Sequence, residues 1–237
     1  MPQRSTVTIV VSPRPRVGKT LLARLLLDFA LQDYRSVAGF DLNAGEATLS
    51  QFLPEHAVPA SIAEVTGQMA LFDRLIADDG AAKVIDVGNE VFTAFFALAE
   101  QIGFIEEANR NNIAVAILFM LTPDASSVEA YGSLSRRFPG ALLAPVQNEI
   151  LGAAQHRGKY PLGPAALAFR MPVLAPSLRR YAERPPFSFA AAEADPHIPA
   201  DIRIELEHWR RRVHIEYREL GLRLMLVDLQ AAFRIVS

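Results

Sequence analysis

SPRPRVGKT, residues Ser12 to Thr20, stands between two apolar stretches. Before it, TVTIVV (Thr6 to Val11) is rich in β-branched residues and predicts a buried strand. After it, TLLARLLLDFALQ from Thr20 has apolar residues around most of its circumference, with Arg24 and Asp28 four apart, and predicts a buried helix. A strand, a compact turn and Gly18-Lys19-Thr20 opening a helix is an order that suits phosphate. Backbone N–H groups surround the anion, the lysine neutralises it, and the hydroxyl ligates Mg2+. The left half of the stretch departs from that pattern. The first glycine of Gly-x4-Gly-Lys-Ser/Thr would fall at residue 13, which is Pro13. The pattern alone fails, and the strand–loop–helix context is what supports phosphate binding. A charged strand-to-helix turn with no ligand is the alternative.

Working outward, four more strands are expected, at SVAGFD (Ser36 to Asp41), AAKVID (Ala81 to Asp86), NIAVAILFML (Asn112 to Leu121) and GALLAPVQN (Gly140 to Asn148). Helices are expected between them, at 61–77, 90–109 and 125–138. Apolar strands alternating with helices imply a doubly wound, mostly parallel α/β sheet covered on both faces. Ligands in such folds sit beyond the carboxyl ends of the strands. Ser12, Asp41, Asp86, Thr122 and Asn148 all fall there.

MPVLAP (Met171 to Pro176) is read as a last short strand with its following loop, and 181–200 as an irregular connector. Two helices are expected after it. Ile202, Leu206, Trp209 and Val213 share a face of the first; Leu222, Met225, Leu226, Leu229 and Phe233 share a face of the second. The expected organisation is a nucleotide-binding domain over 1–180, with 181–237 as a connector and C-terminal helices packed on it.

The 237 residues suit one large domain, and at 51% hydrophobic residues with a mean hydropathy of +0.17 the chain can bury a sizeable core. A net charge of −2 predicts no strong global attraction to nucleic acid. The absence of cysteine excludes disulfides, thiolate metal sites and a cysteine nucleophile. No run approaches the ~20 apolar residues of a membrane span, so a soluble, cytoplasmic protein is expected. The five histidines (His56, His156, His197, His208, His214) have no metal-ligand spacing.

The order and spacing of these segments resemble the ParA/MinD family of P-loop ATPases, the deviant Walker A group, over roughly residues 6 to 180. The family loop reads K-G-G-x-G-K-[ST]. Laid on this chain, its signature lysine becomes Arg14, its two glycines become Pro15 and Arg16, and Val17-Gly18-Lys19-Thr20 match directly. The family's D-x-D becomes Asp41-Leu42-Asn43, followed by AGEATLSQFL. Its Walker B aspartate becomes Asp86 in KVIDVG, and its base-reading asparagine becomes Asn148 in APVQNE. The loop flanking the base is matched by VLAPSLRR.

The resemblance implies ATP or ADP with Mg2+. Arg16, Val17, Gly18, Lys19, Thr20 and Asn148 would bind the nucleotide; Thr20, Asp41 and Asp86 would serve the metal; Lys19, Asn43 and Arg14 would serve the reaction. It also implies a nucleotide-dependent homodimer in which Arg14 reaches the partner's phosphates, and a partner protein. Solvated loop charges are the alternative for Arg14 and Arg16, and turn or helix-capping carboxylates for Asp41 and Asp86. Pro15 lacks a donor, and Asn43 cannot take a proton, so slow or absent hydrolysis is expected. Arg210, Arg211 and Arg212 leave nonspecific DNA contact open, with a solvated helix face as the alternative. The last helix lacks the basic face of a membrane-surface helix. Two further classes are a degenerate relative acting as a scaffold or binding module, and a small-molecule ligase of the dethiobiotin synthetase kind.

Overall fold

The computed structural model describes residues 4–33, 36–43, 48–152, 160 and 168–236, with side chains as far as residue 226. In chain order, β1 (Thr6–Val11) leads to α1 (Lys19–Asp33), then β2 (Val37–Leu42), α2 (Leu49–Phe52), β3 (Ala57–Pro59) and α3 (Val65–Leu75). β4 (Ala82–Val87) is followed by α4 (Phe92–Gln101), α5 (Phe104–Arg110), β5 (Ala114–Met120) and α6 (Ala125–Arg137). β6 (Leu142–Asn148) runs into a 3-10 turn (Glu149–Leu151), then β7 (Phe169–Met171), α7 (Pro176–Ala182), α8 (Phe189–Ala192) and α9 (Ala200–Val236).

The seven strands form one sheet in the order β3-β2-β4-β1-β5-β6-β7, and every pairing is parallel. Side chains alternate across the central strands. Val10, Val84 and Leu118 face one core layer with Leu22, Leu25 and Phe29 of α1. Ile9, Ile85 and Ile117 face the other with Phe95 and Phe96 of α4. The chain thus leaves β1 towards one face and β4 towards the other. The adjacent ends of these two strands form the crevice where such sheets bind ligands.

The doubly wound parallel fold is the expected one, and β1 has its expected bounds. Other elements differ. β3 is an additional edge strand of three residues, and it ends in a proline, which an edge tolerates. The stretch 90–109 is two helices, broken at Gly103, whose φ of 63° lies in the left-handed region. The last strand lies at Phe169–Met171, so Pro172 to Ala175 is loop and Pro176 opens α7. The connector contains the short helix α8, with Ser188 Oγ accepting from the N–H of Ala191.

The C-terminus is one 37-residue helix rather than two. Gly221 sits inside the helix with open space around it. Ile202, Leu206, Trp209 and Val213 are buried as expected and join the α1-side core. Leu222, Met225 and Leu226 stand 57–64% exposed. The side chains of Leu229 and Phe233 lie outside the described residues. Among the described residues no helix is long and apolar enough to cross a membrane.

Candidate functional site

β1 is followed by Ser12, whose buried hydroxyl accepts from the N–H of Arg14 at 3.1 Å. The loop then passes through two residues of positive φ, Arg16 (56°) and Gly18 (94°). Alternating backbone handedness of this sort gathers N–H groups on one side, as anion nests do. Glycine is required at 18 for a second reason. A Cβ there would lie 2.7 Å from Asn148 Nδ2 and 2.8 Å from Met171 Cε. Asn148 closes the loop from the side: its Nδ2 donates to Val17 O at 3.0 Å, and its Oδ1 accepts from Ile150 N at 3.3 Å. It therefore ties the end of β6 to the loop.

Lys19 begins α1 and is 6% exposed. Its ammonium turns back into the loop and donates to Arg14 O at 3.0 Å. Burial pulls its pKa down, against the opposing pull of Asp86 and Glu90. Thr20 donates its hydroxyl to Asp86 Oδ2 at 2.6 Å. Asp86 is fully buried, and its other oxygen, Oδ1, has no hydrogen-bond partner. Burial pushes its pKa up to about 6, helped by the neighbouring Asp41 and opposed by the Thr20 hydroxyl, the Lys19 charge and the nearby Asn43 amide. A buried carboxylate oxygen without a donor is costly, so this atom is the clearest sign of an unmet partner.

Asp41 lies opposite Asp86 across the β2–β4 pair. Unlike Asp86 it is fully engaged. Oδ1 accepts from Asn43 N (3.1 Å) and Asn43 Nδ2 (3.0 Å), and Oδ2 from Ser50 N and Ser50 Oγ (both 2.8 Å). This is the turn-holding arrangement open to a strand-end aspartate. Asn43 Nδ2 also donates to Asp86 O at 3.3 Å, so Asn43 bridges the two strand ends. Residues 44–47, the start of AGEATLSQFL, lie outside the described residues.

A cavity of about 480 Å3 opens over the loop. Arg16, Gly18, Lys19, Thr20, Asn43 and Asn148 are among the residues that line it. Leu174 and Arg179 come from the stretch VLAPSLRR. The structure thus brings Arg16, Val17, Gly18, Lys19, Thr20, Asn43 and Asn148 to one space, with Asp86 behind Thr20. Among the described residues no group of three or more His, Asp or Glu side chains could hold a metal alone. A metal here would need oxygens beyond the carboxylates.

Arg14 points elsewhere. Its guanidinium donates to Asp124 Oδ1 from Nε (2.9 Å) and Nη2 (2.6 Å), and to Ser126 Oγ (2.8 Å). Asp124, at the N-cap of α6, was not singled out in the sequence. The signal was present as an aspartate before a serine-rich helix start at a strand's carboxyl end. Arg24 of α1 also lines the cavity. The basic run on α9 is neutralised locally. Arg210 pairs with Glu193 (2.6 Å), Arg211 with Glu207, and Arg212 reaches Glu149 at 3.9 Å. Of the histidines, His214 stacks on Phe29 at 4.8 Å, and His156 lies outside the described residues.

No family model matches the chain, and no curated protein matches it in sequence. Among solved structures it is similar to the MinC:MinD cell division protein complex of Aquifex aeolicus. Identity there is 15%, over 89% of this chain and 95% of that one, with a TM-score of 0.48. It is also similar to the MinD cell division protein of Aquifex aeolicus at 15% identity, over 89% of this chain and 97% of that one, with a TM-score of 0.41. Both are likenesses of overall chain course, and no residue's role follows from them.

Proposed function

We propose that the chain is an ATP-binding switch of the ParA/MinD type, with slow or absent hydrolysis. The observation that carries the proposal is Asp86 Oδ1, buried without a partner beside the Thr20 hydroxyl and the Lys19 ammonium. These groups fit Mg2+ and a polyphosphate. Asp86 supplies a spare oxygen, Thr20 keeps lone pairs free on Oγ1, and phosphate oxygens would complete the set. When bound, the ion would neutralise phosphate charge.

Lys19 would exchange a carbonyl partner for a phosphate, gaining a charged acceptor in a buried place. Gly18 and Asn148 would hold the loop shape, and Leu174 would bound the base. Asp41 would act from the turn, positioning Asn43 rather than meeting the metal. Asn43 could orient a water through its carbonyl oxygen and cannot accept its proton, which supports binding with little turnover. ATP would then favour a homodimer that engages a partner protein.

A scaffold that uses no nucleotide is the competing reading, favoured by the complete engagement of Asp41. Calorimetric titration of Mg-ATP into wild type and Lys19→Ala separates the two. Saturable uptake, weakened about 100-fold or more in Lys19→Ala, is expected. No uptake, together with a melting temperature indifferent to Mg-ATP, would sink the switch.

A further inference from the structure

We propose that Asp124 is a positioning residue for Lys19, acting through Arg14. This rests on reading the loop as a phosphate site. Arg14 has two attachments that meet in one residue. Its backbone carbonyl receives the Lys19 ammonium at 3.0 Å, and its guanidinium is anchored to the N-cap of α6. The anchor is itself held in place. Besides Arg14, Asp124 accepts from Thr122 Oγ1 (2.7 Å), Ser126 Oγ (2.7 Å) and Ser127 N (3.1 Å). Its carboxyl is held well below the usual range, first by Arg14 and then by those hydroxyls and that amide.

Pro13 and Pro15 flank Arg14, and each fixes its own φ. The segment between two prolines has few soft torsions, so a hold on the guanidinium is also a hold on the carbonyl. A glycine-rich loop keeps backbone freedom that ordering must remove. This one carries prolines where the donors and the freedom would be, and fixes its shape from outside, across the β5–α6 turn. That is preorganisation by a side-chain clasp. It also assigns Arg14 work within its own chain.

Amine labelling tests the clasp without any ligand. The chain has only three lysines, Lys19, Lys83 and Lys159, so brief acylation read by mass spectrometry resolves each site. Lys83, 2% exposed and bonded to Ala77 O, is the internal control. Asp124→Asn keeps an N-cap acceptor for α6 and loses the charge that Arg14 grips. Arg14→Met leaves the cap alone, so it stands as the arm independent of α6 folding.

Both single variants should acylate Lys19 about threefold faster, with Lys83 unchanged, and the double variant should match either single one. A Lys19 rate indifferent to both substitutions, or a double variant showing the product of two separate effects, would overturn the clasp. Mg-ADP calorimetry on the same proteins separates the layers. If wild type takes up no ADP while the labelling pattern holds, the clasp stands and the nucleotide reading falls. If ADP binds and Lys19 labelling does not move, the reading stands and the clasp falls.

Discussion

Two buried charge pairs lie along α1 and its neighbours, and they are built for different ends. At the loop, Lys19 meets one carbonyl, and Asp86 keeps an oxygen with no donor. One turn and two turns further along the helix, Arg24 and Asp28 are enclosed by partners. Arg24 donates to Ala182 O (2.8 Å) and Phe187 O (3.2 Å), with the Phe52 ring 3.6 Å and the Phe189 ring 4.8 Å from its guanidinium carbon. Asp28 accepts from Ser188 Oγ (2.9 Å), Phe189 N (2.6 Å) and Ala190 N (3.4 Å). Only Arg24 Nε is left without an acceptor. The inner pair fastens the 182–190 segment to α1. The outer one holds bonding capacity in reserve. Burial and charge are common to both pairs; they differ in how many of their hydrogen bonds are spent.

Asp28→Ala attacks the rivet. It strands Arg24 and removes the acceptor that starts α8, so a loss of about 3–5 kcal/mol in denaturant unfolding is expected. Mg-ADP affinity should move little in whatever remains folded. Lys19→Ala should do the reverse, leaving the melting temperature level or slightly raised, because an ammonium that burial disfavours has gone. If Lys19→Ala costs as much stability as Asp28→Ala, the two pairs are not different in kind.

Asn43→Asp sharpens the contrast further. It would set a third carboxylate where Asn43 Nδ2 now stands, 3.0 Å from Asp41 and close to Asp86. Without Mg2+ a loss of about 1–2 kcal/mol is expected from like-charge crowding, recovered by Mg-ADP; ATPase rate should rise. Equal melting temperatures with and without Mg2+ in this variant would contradict the placing of the metal at Asp86.

The smallest effect is in pH. Asp86 has a pKa of about 6 when folded against 3.8 as an ordinary carboxyl. The folded state thus binds the proton more tightly. The group's contribution to stability falls as pH rises from about 4 to about 6 and is level above. Its readiness for a cation runs the other way. Mg-ADP affinity should drop about tenfold between pH 7 and pH 5, with no such slope in Asp86→Asn.

Repetition and chemistry near the chain made much of the fold readable. Thr6 to Val11 and the strand end at Asn148 follow from apolar runs that stop at polar residues, whereas β4 runs one residue past Asp86. Gly18-Lys19-Thr20 is readable for the same local reason. What escaped reading is of three kinds. β3 is too short to have a period. Gly103 breaks a helix at a left-handed φ and Gly221 sits inside α9, where a glycine costs only about 1 kcal/mol. Asp124 grips Arg14 across 110 residues, and only the sheet order brings them together.

Trp209 is the chain's single tryptophan, and its indole Nε1 donates to Pro172 O at 3.1 Å, on the stretch that walls the cavity. The protein therefore carries its own optical probe. Emission excited at the red edge comes from one site alone, and a ligand that nudges the 172–174 wall would register there with no added dye.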